Sequence, residues 1–217
     1  MYPISLGLGP TRPIHLLCLG AHSDDIEIGC GGTIIKLLAA YPGSTVTWVV
    51  FSGREPREAE ARASAAEFLL SAARSNVVVH QFKESYFPHV AADIKDSFEE
   101  LKGGPVPDLI FSHHRSDMHQ DHRTIAELTW NTFRNHLIAE FEIPKYEGDL
   151  GHPNLFVPLT RAQAARKVDL ITSHFASQAG RTWFRAETFH GLMSVRGVEC
   201  NAPEGPAEAF HLRKLVL

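Results

Sequence analysis

The sequence predicts a single-domain α/β protein, in which a mostly parallel sheet carries helices on both of its faces. The main observation is alternation, because segments typical of a strand and of a helix follow one another four times before residue 137. Such alternation favours a parallel sheet with crossover helices. The second observation is continuity. The 217 residues contain no internal repeat, low-complexity segment or linker, so residues 1–217 are expected to form one domain.

Four strands are predicted from short apolar runs. Residues 13–21 are almost continuously apolar and are bounded by proline and glycine, as expected for a buried strand. Residues 45–51 (TVTWVVF) are β-branched and aromatic, which favours a second strand. The third and fourth strands are predicted at residues 77–82 and 109–112.

The segments after these strands are predicted helices. Residues 30–41 have a helical apolar pattern that ends at a Pro-Gly pair, and residues 56–72 are rich in Ala, Glu, Arg and Leu. Residues 91–102 are amphipathic and are followed by two glycines and a proline, a typical helix end. Residues 121–136 complete the fourth strand–helix unit.

Beyond residue 136 the pattern is less regular. Strands are predicted at residues 141–144, 154–158 and 209–217, and helices at residues 160–174 and 183–195. Thr160 is expected to cap the first of these helices, because its hydroxyl can accept a backbone N–H of the first turn.

The composition argues against several classes of function. Hydrophobic residues make up 44% of the chain and charged residues 21%, which is ordinary for a soluble globular protein. A formal net charge of −4 is unlike the basic excess of proteins that bind nucleic acids or membrane surfaces. No apolar run approaches the roughly 18 residues of a membrane span, and the N-terminus lacks the pattern of a secretory signal. We therefore expect neither a nucleic-acid partner nor a membrane span.

The cysteines agree with an intracellular setting. Cys18, Cys30 and Cys200 are too widely spaced for a CxxC metal site or a disulfide framework. This usage fits a reducing compartment and predicts a cytoplasmic location. The sequence does not determine the oligomeric state. It is compatible with a homo-oligomer.

Three polar segments follow predicted strands and indicate where a site should lie. Residues 22–25 follow the first strand, residues 52–55 the second and residues 112–123 the fourth. Ligands of open parallel sheets bind outside the carboxyl ends of the strands. If the first and fourth strands are neighbours, the first and third of these segments converge on one site.

The residue types in those two segments favour a metal. A catalytic zinc ion takes three nitrogen or oxygen ligands and keeps a fourth position for water. His22 and Asp25 are three residues apart, and so are His119 and His122, so each pair can face one side of a helical turn. One of the two later histidines can bind the metal while the other lies over the reacting group. Asp24 then remains as a carboxylate near the metal-bound water, as expected of a general base.

Simpler interpretations of these residues also exist. Asp24 and Asp25 could cap the following helix, because carboxylates favour helix N-termini. Either later histidine could be an ordinary packed or surface residue. The three glycines Gly29, Gly31 and Gly32 do not have GxGxxG spacing and follow an acidic loop that would repel a pyrophosphate. We expect these glycines to form a tight connection between strand and helix.

Two motifs resemble those of a known family. The stretch AHSDDIEIGCGGT (residues 21–33) resembles the AHPDDE…GCGGT motif of the PIG-L/LmbE family of zinc-dependent N-acetylglucosaminyl deacetylases, and HRSDMHQDHR (residues 114–123) resembles its H-x-x-D-x-H-x-D-H-R motif. Residues 51–69, 167–178 and 185–189 are similar to further segments of the family. The resemblance implies a Rossmann-like sheet, which agrees with the strand–helix alternation.

The resemblance also implies a metal site. It implies that His22, Asp25 and His122 ligate zinc, the expected cofactor. It implies that Asp24 is the general base that acts on the zinc-bound water.

Further roles and two departures follow from the same resemblance. His119 would be the general acid or the oxyanion stabiliser, and Asp121 would orient and charge a histidine beside it. Arg54 matches an arginine that contacts substrate or product. Ser23 replaces the family's proline and Ile26 replaces an acid, but neither position is a ligand in the family.

The expected reaction is the hydrolysis of the acetamide of an N-acetylglucosamine-type sugar or sugar conjugate, which would be the small-molecule partner. A non-haem iron oxygenase is an alternative, since two histidines and a carboxylate also form its metal site. The strand–helix alternation counts against it. A non-catalytic protein that binds metal or carbohydrate is the third possibility. The presence of Asp24 and His119 counts against that one, because binding alone needs neither a base nor an acid.

Overall fold

Seven strands form one sheet within residues 12–215, the part of the chain that the computed structural model describes. They are β1 (His15–His22), β2 (Thr45–Ser52), β3 (Arg74–Val79), β4 (Leu109–His113), β5 (Ile138–Phe141), β6 (Leu155–Pro158) and β7 (Ala207–His211). Their order is β3-β2-β1-β4-β5-β7-β6. Strands β1 to β5 pair in parallel, whereas β7 is antiparallel to both β5 and β6. The predicted mostly parallel α/β sheet is confirmed.

Helices cover both faces of this sheet. They are α1 (Asp25–Ala40), α2 (Arg57–Phe68), α3 (Ala91–Lys102), α4 (Gln120–Thr132), α5 (Arg161–His174) and α6 (Ala186–Cys200), with two short 3-10 turns at Phe87–His89 and Ala176–Gln178. Helices α1, α2, α5 and α6 pack over one face, and α3 and α4 over the other. No helix in the described part of the chain is both long and apolar enough to cross a membrane.

Strand β1 shows why its sequence is apolar throughout. Leu16 and Cys18 lie in the core beneath α1, whereas Leu17 and Leu19 lie in the core beneath α3 and α4. Successive side chains of a strand point to opposite faces, so a strand covered on both sides has no position left for a polar residue. The chain becomes polar only at the carboxyl end of β1.

Helix α1 begins five residues earlier than predicted, at Asp25 rather than at residue 30. The glycines at 29, 31 and 32 are therefore not a connection between strand and helix, and that expectation is wrong. They lie inside the helix at points of close packing. A Cβ atom on Gly29 would lie 2.4 Å from the ring of Phe141, and one on Gly31 would lie 2.5 Å from Phe68. Glycine lets α1 approach the sheet and α2 at these points, despite its low helix propensity.

The boundaries of the other helices and strands match their predictions or differ from them by a few residues. Helix α3 matches its prediction, and α5 begins with the predicted Thr160 cap, completed by the side chain of Gln163. Strands β3 and β5 each begin three residues before their predictions, and α6 begins three residues after its own. The closing strand β7 ends at His211, and residues 216 and 217 of its predicted range lie outside the described residues.

The strand order places the site. Strand β1 pairs with β2 on one side and with β4 on the other, so the sheet changes direction of winding between β1 and β4. The loops that follow two such strands diverge to opposite faces and leave a crevice between them. The expected adjacency of the first and fourth strands is confirmed.

Candidate metal centre

The three side chains that the resemblance assigns to zinc converge in this crevice. His22 ends β1, Asp25 begins α1, and His122 lies in the first turn of α4. His22 Nδ1 is 3.1 Å from His122 Nε2, and the two oxygens of Asp25 are 3.4 Å from the former atom and 3.6 Å from the latter. Ligand atoms about 2.1 Å from a tetrahedral zinc ion are roughly 3.4 Å apart, so each pairwise spacing is close to that value, with a different Asp25 oxygen nearest each histidine.

A carboxylate behind each histidine leaves the other ring nitrogen free for a metal. His22 Nε2 is 3.1 Å from Asp121 Oδ2, and His122 Nδ1 is 2.9 Å from Asp117 Oδ2. A ring nitrogen beside a carboxylate carries the proton, which leaves His22 Nδ1 and His122 Nε2 with lone pairs. These two atoms face each other. Two opposed lone pairs are favourable only when a cation or a proton lies between them, so the donor set fits a bound cation.

The electrostatics of the cluster also call for positive charge. Burial alone would lower the pKa of His22, but the carboxylates of Asp25 and Asp121 outweigh it and raise that pKa to about 10. Burial opposes the charge on Asp25, yet the neighbouring histidines lower its pKa well below the usual range. Burial, helped by His113, lowers the pKa of His122 to about 3. Without a metal, the pocket thus holds the ionised carboxylate of Asp25 beside a neutral His122 and a protonated His22. A bound cation would take the place of the proton on His22 Nδ1, because metal ligands must be deprotonated.

Two further histidines lie close enough to be considered as ligands. Within the described residues, the groups of three whose ligand atoms lie close enough to hold one metal ion are His22 with His119 and His122, and Asp25 with His113 and His122, so neither group contains His22 and Asp25 together. His113 Nε2 accepts the backbone N–H of Ala21 over 2.9 Å, and this hydrogen bond occupies the lone pair of Nε2. Its ring stacks on His122 with centroids 3.9 Å apart. His113 Nε2 is also 3.2 Å from Asp25 Oδ2, so His113 contacts both Asp25 and His122.

His119 is placed as a hydrogen-bond donor. It is the N-cap residue of α4, and its Nδ1 accepts the backbone N–H of Asp121 over 3.2 Å. Burial and the neighbouring His22 lower the pKa of His119, which favours the neutral ring. In the neutral ring the proton then lies on Nε2. His119 stands edge-on to His22, with centroids 4.9 Å apart, so it offers an N–H at the rim of the metal centre.

Asp24 is buried between the metal centre and α2. It occupies the cap position of α1, but its side chain makes no capping hydrogen bond, so the alternative of a simple helix cap is wrong. Its Oδ1 is 3.3 Å from Arg57 Nη2, and its Oδ2 has no hydrogen-bond partner among the described residues. Burial and the adjacent Asp25 raise the pKa of Asp24 to about 6, against the pull of Arg57. A carboxylate with one free oxygen can accept a proton.

The two arginines of the β2–α2 region lie differently. Arg54 is exposed, donates to the carbonyl of Gln81 over 3.4 Å and lines a surface cavity that Arg57 also lines. Arg57 reaches Asp24 and also donates to Glu84 Oε2 over 2.7 Å. The substrate-binding role of Arg54 stays a prediction, and sequence reasoning missed Arg57.

The two departures from the family motif have structural consequences. Ser23 is buried and its hydroxyl donates to the carbonyl of Ser52 over 3.4 Å, which ties the turn after β1 to the end of β2. Ile26 lies in the first turn of α1 and is fully buried in the core, so an apolar side chain suits its position. Neither residue is among the metal-binding groups.

Sequence reasoning also missed the residues that hold the β4–α4 loop. Asp117 accepts the backbone N–H of His119 over 2.7 Å besides contacting His122. Lys145 Nζ is 3.0 Å from Asp117 and within 2.7 Å of both oxygens of Asp149. The family motif contains an acid at the position of Asp117, which could have identified it. Nothing in the sequence indicates Lys145.

Solved structures with the same fold include proteins of different activity. A conserved protein of Thermus thermophilus is 18% identical, with a TM-score of 0.72 over 94% of this chain and 96% of that one. The N,N'-diacetylchitobiose deacetylase of Pyrococcus horikoshii is 20% identical, with a TM-score of 0.67 over 96% and 88%. The 4-carboxy-2-hydroxymuconate hydratase GalB of Pseudomonas putida KT2440 is 16% identical, with a TM-score of 0.69 over 94% and 98%. At these identities the likeness establishes the fold alone.

The sequence itself identifies the family. No curated protein has a significantly similar sequence. Residues 17–133, more than half of the chain, match the family PIG-L, described as GlcNAc-PI de-N-acetylase. The matched region contains most of β1, all of β2 to β4, and the residues His22, Asp24, Asp25, Asp117, His119, Asp121 and His122. The chain belongs to the PIG-L family.

Proposed function

We propose that this member of the PIG-L family is a zinc-dependent deacetylase, which hydrolyses the acetamide of an N-acetylglucosamine-type sugar or sugar conjugate. The observation that carries the proposal is the convergence of His22, Asp25 and His122 at 3.1 to 3.6 Å beside a buried carboxylate, Asp24, with one free oxygen. Ligands and base together are what metal-assisted amide hydrolysis needs.

The metal would be held by His22 Nδ1, a carboxylate oxygen of Asp25 and His122 Nε2. Zinc in such a site lowers the pKa of a bound water toward about 7 and polarises a carbonyl group. The chain's own contribution is to fix the ligands. Asp121 and Asp117 hold the two imidazole rings in the required tautomers and orientations.

Asp24 and His119 would handle the protons and the developing charge. Asp24 accepts the proton of the attacking water through its free oxygen, while Arg57 holds the other oxygen in place. His119 donates its Nε2–H to the oxygen that becomes negative in the tetrahedral transition state. The proton taken by Asp24 can then pass to the leaving amine. The products are acetate and a free amino group.

The alternatives have less support. The parallel sheet and membership of the PIG-L family do not favour an iron oxygenase. A non-catalytic binding protein would not need a buried carboxylate with one free oxygen, such as that of Asp24, beside the metal centre. A hydratase shares this fold, so a test has to follow the product of the reaction.

The setting of the reaction is part of the proposal. The three cysteines are buried and free, which agrees with the predicted cytoplasmic location. We expect one small N-acetylated substrate per active site, in a monomer or in a homo-oligomer.

The direct test is acetate release. Purified protein loaded with zinc would be incubated with N-acetylated sugars, nucleotide sugars and sugar conjugates, and acetate would be measured enzymatically. We expect release from at least one class, its loss after chelation, and a rate about 10²- to 10⁴-fold lower in Asp24→Asn. Absence of acetate from every substrate with the metal-loaded protein would contradict the proposal.

A further inference from the structure

Two loops meet behind the metal ligand His122. Lys145 extends from the β5–β6 loop (residues 142–154) to the loop between β4 and α4, where its Nζ lies 3.0 Å from Asp117 Oδ2. Asp149 of the β5–β6 loop completes the contact, because both of its carboxylate oxygens lie within 2.7 Å of Lys145 Nζ. One ammonium group therefore joins a carboxylate of each loop.

All three charged groups of this contact are buried. The exposed fraction of the side chain is 9% for Lys145, 8% for Asp149 and 3% for Asp117. An ammonium group can donate three hydrogen bonds, and three carboxylate oxygens lie within 3.0 Å of Lys145 Nζ. Because two carboxylates share this cation, its removal would leave two like charges close together and shielded from water. Such a loss costs more than the loss of an exposed ion pair.

Asp117 connects this contact to the metal centre. The oxygen that faces Lys145 is also the one that lies 2.9 Å from His122 Nδ1, while the other oxygen accepts the backbone N–H of His119. The opposite nitrogen of the His122 ring is the one assigned to the metal. A carboxylate behind a metal-binding histidine fixes the orientation of the ring and contributes to metal affinity. Lys145 in turn fixes the position of that carboxylate.

Arg196 holds the same loop without contacting the metal centre. Arg196 of α6 pairs with Glu142 at 2.6 Å and donates to the carbonyl of Gly151 over 3.1 Å, both in the β5–β6 loop. Within the part of the chain that the structure describes, it has no ion pair with the β4–α4 loop. A comparison of Lys145 with Arg196 therefore separates the stability of the β5–β6 loop from its effect on the metal.

We propose that Lys145 is a positioning residue of the metal centre, which holds Asp117 against His122 and so couples the β5–β6 loop to metal binding. Lys145 has this role only if His122 is a metal ligand, so the inference rests on the proposed function for the metal but not for the substrate. Coupling between two sites is reciprocal. If the loop strengthens metal binding, the bound metal must also stabilise the loop.

Metal affinity tests the first of these two effects, with a chromophoric chelator as competitor. Lys145→Met should bind Zn²⁺ about tenfold more weakly than wild type, the lower end of what contacts behind a metal ligand contribute. Lys145→Met/Asp149→Asn also removes one of the two carboxylates and should regain part of the loss. Arg196→Gln is the matched control, because it breaks a buried ion pair of the same loop. It should keep the wild-type affinity even where its thermal stability falls.

Amide hydrogen exchange of the wild type tests the reciprocal effect without any substitution. Zn²⁺ should slow exchange in residues 114–123, which contain a proposed ligand, and also in residues 142–154, which contain none. In Lys145→Met the protection should remain in the first segment and be lost in the second. In Arg196→Gln it should remain in both. A lysine that only stabilises the fold would not change how the loop responds to the metal.

Three results would overturn the positioning role. They are equal Zn²⁺ affinity of Lys145→Met and wild type, equal weakening in Lys145→Met and Arg196→Gln, and exchange of residues 142–154 that Zn²⁺ leaves unchanged in the wild type. Each of them leaves the deacetylase proposal standing, because that proposal depends on acetate release by the wild type. Failure of the wild type to bind Zn²⁺ would overturn both.

Discussion

Two buried clusters of polar residues differ in how many of their polar atoms have a hydrogen-bond or ion-pair partner. In the cluster on the α5 and β7 side, Lys167 Nζ contacts Glu208 at 2.6 Å and the carbonyl of Ile28 at 2.7 Å. Glu208 also accepts the backbone N–H groups of Gly32 and Thr33. In the metal centre, by contrast, lone pairs face each other and Asp24 has a free oxygen.

The difference distinguishes polar residues that stabilise the fold from polar residues that are available to a ligand. Helix α1 joins the two clusters, since Asp25 is at its start and Gly32 is at its centre. The pair Lys167–Glu208 anchors that helix with every charge satisfied, as a buried ion pair must be. The metal centre, at the end of the same helix, keeps unsatisfied groups for an ion and a substrate. Removing a charge should therefore have opposite effects in the two places.

The largest effect is expected for Asp24→Asn. The change keeps the shape and removes the proton acceptor, so kcat should fall by about 10²- to 10⁴-fold. Stability should not fall, because the buried carboxylate has one unpartnered oxygen. Acetate release, metal content and thermal unfolding of the same preparation check this. A near-normal rate would remove Asp24 from the mechanism.

Breaking the ion pair between Lys167 and Glu208 should instead lower the stability of the protein. Lys167→Met leaves the Glu208 carboxylate buried without its cation, which costs about 3–5 kcal/mol of the free energy of unfolding. The double variant Lys167→Met/Glu208→Gln removes both charges and should regain part of that loss. Urea unfolding measures both variants. If the single variant is as stable as wild type, the pair does not anchor α1.

A smaller effect, on metal affinity, is expected when the carboxylate that contacts the ligand His122 is changed. Asp117→Asn removes the charge that faces His122 Nδ1, and metal affinity should fall by about 10- to 100-fold. Competition with a chromophoric chelator measures the affinity. Asp169→Asn, a change at an exposed position on α5, is the matched control. Equal affinities for the two variants would contradict the role of Asp117.

The smallest effect concerns the pH dependence of stability at His211, the last residue of β7. Burial, together with His114 and Arg196, lowers the pKa of His211 to about 4 from an ordinary value near 6.5. The folded state therefore favours the neutral ring, and its contribution to stability is present above pH 6.5 and is lost as the pH falls toward 4. His211→Gln should lose less stability between pH 7.5 and pH 5 than wild type does. Urea midpoints at both pH values measure this, with the exposed His190→Gln as control, and equal losses would contradict it.

Local patterns predicted the elements that local forces determine. Strand β1 was predictable because both of its faces are buried, and α5 because Thr160 caps it. The convergence of residues near 22 and 122 followed from two neighbouring strand ends. The start of α1 was not predictable, because three glycines in its first half have low helix propensity and are accommodated only by packing against Phe141 and other side chains.

The supporting contacts of the site depend on tertiary structure. Arg57 meets Asp24 across 33 positions of the chain, and Lys145 meets Asp117 from a separate loop. No periodicity or spacing in the sequence predicts such contacts. The ligands themselves could be identified only through a resemblance, since spacing alone left His119 and His122 as equal candidates.

The most direct test is a metal titration. Chelator-treated wild-type protein, titrated with Zn²⁺ in a calorimeter, should bind one ion per chain, and His22→Ala and Asp25→Ala should lose that binding while Asp24→Asn keeps it. Failure of the wild type to bind an ion, or equal affinity in His22→Ala, would contradict the metal centre.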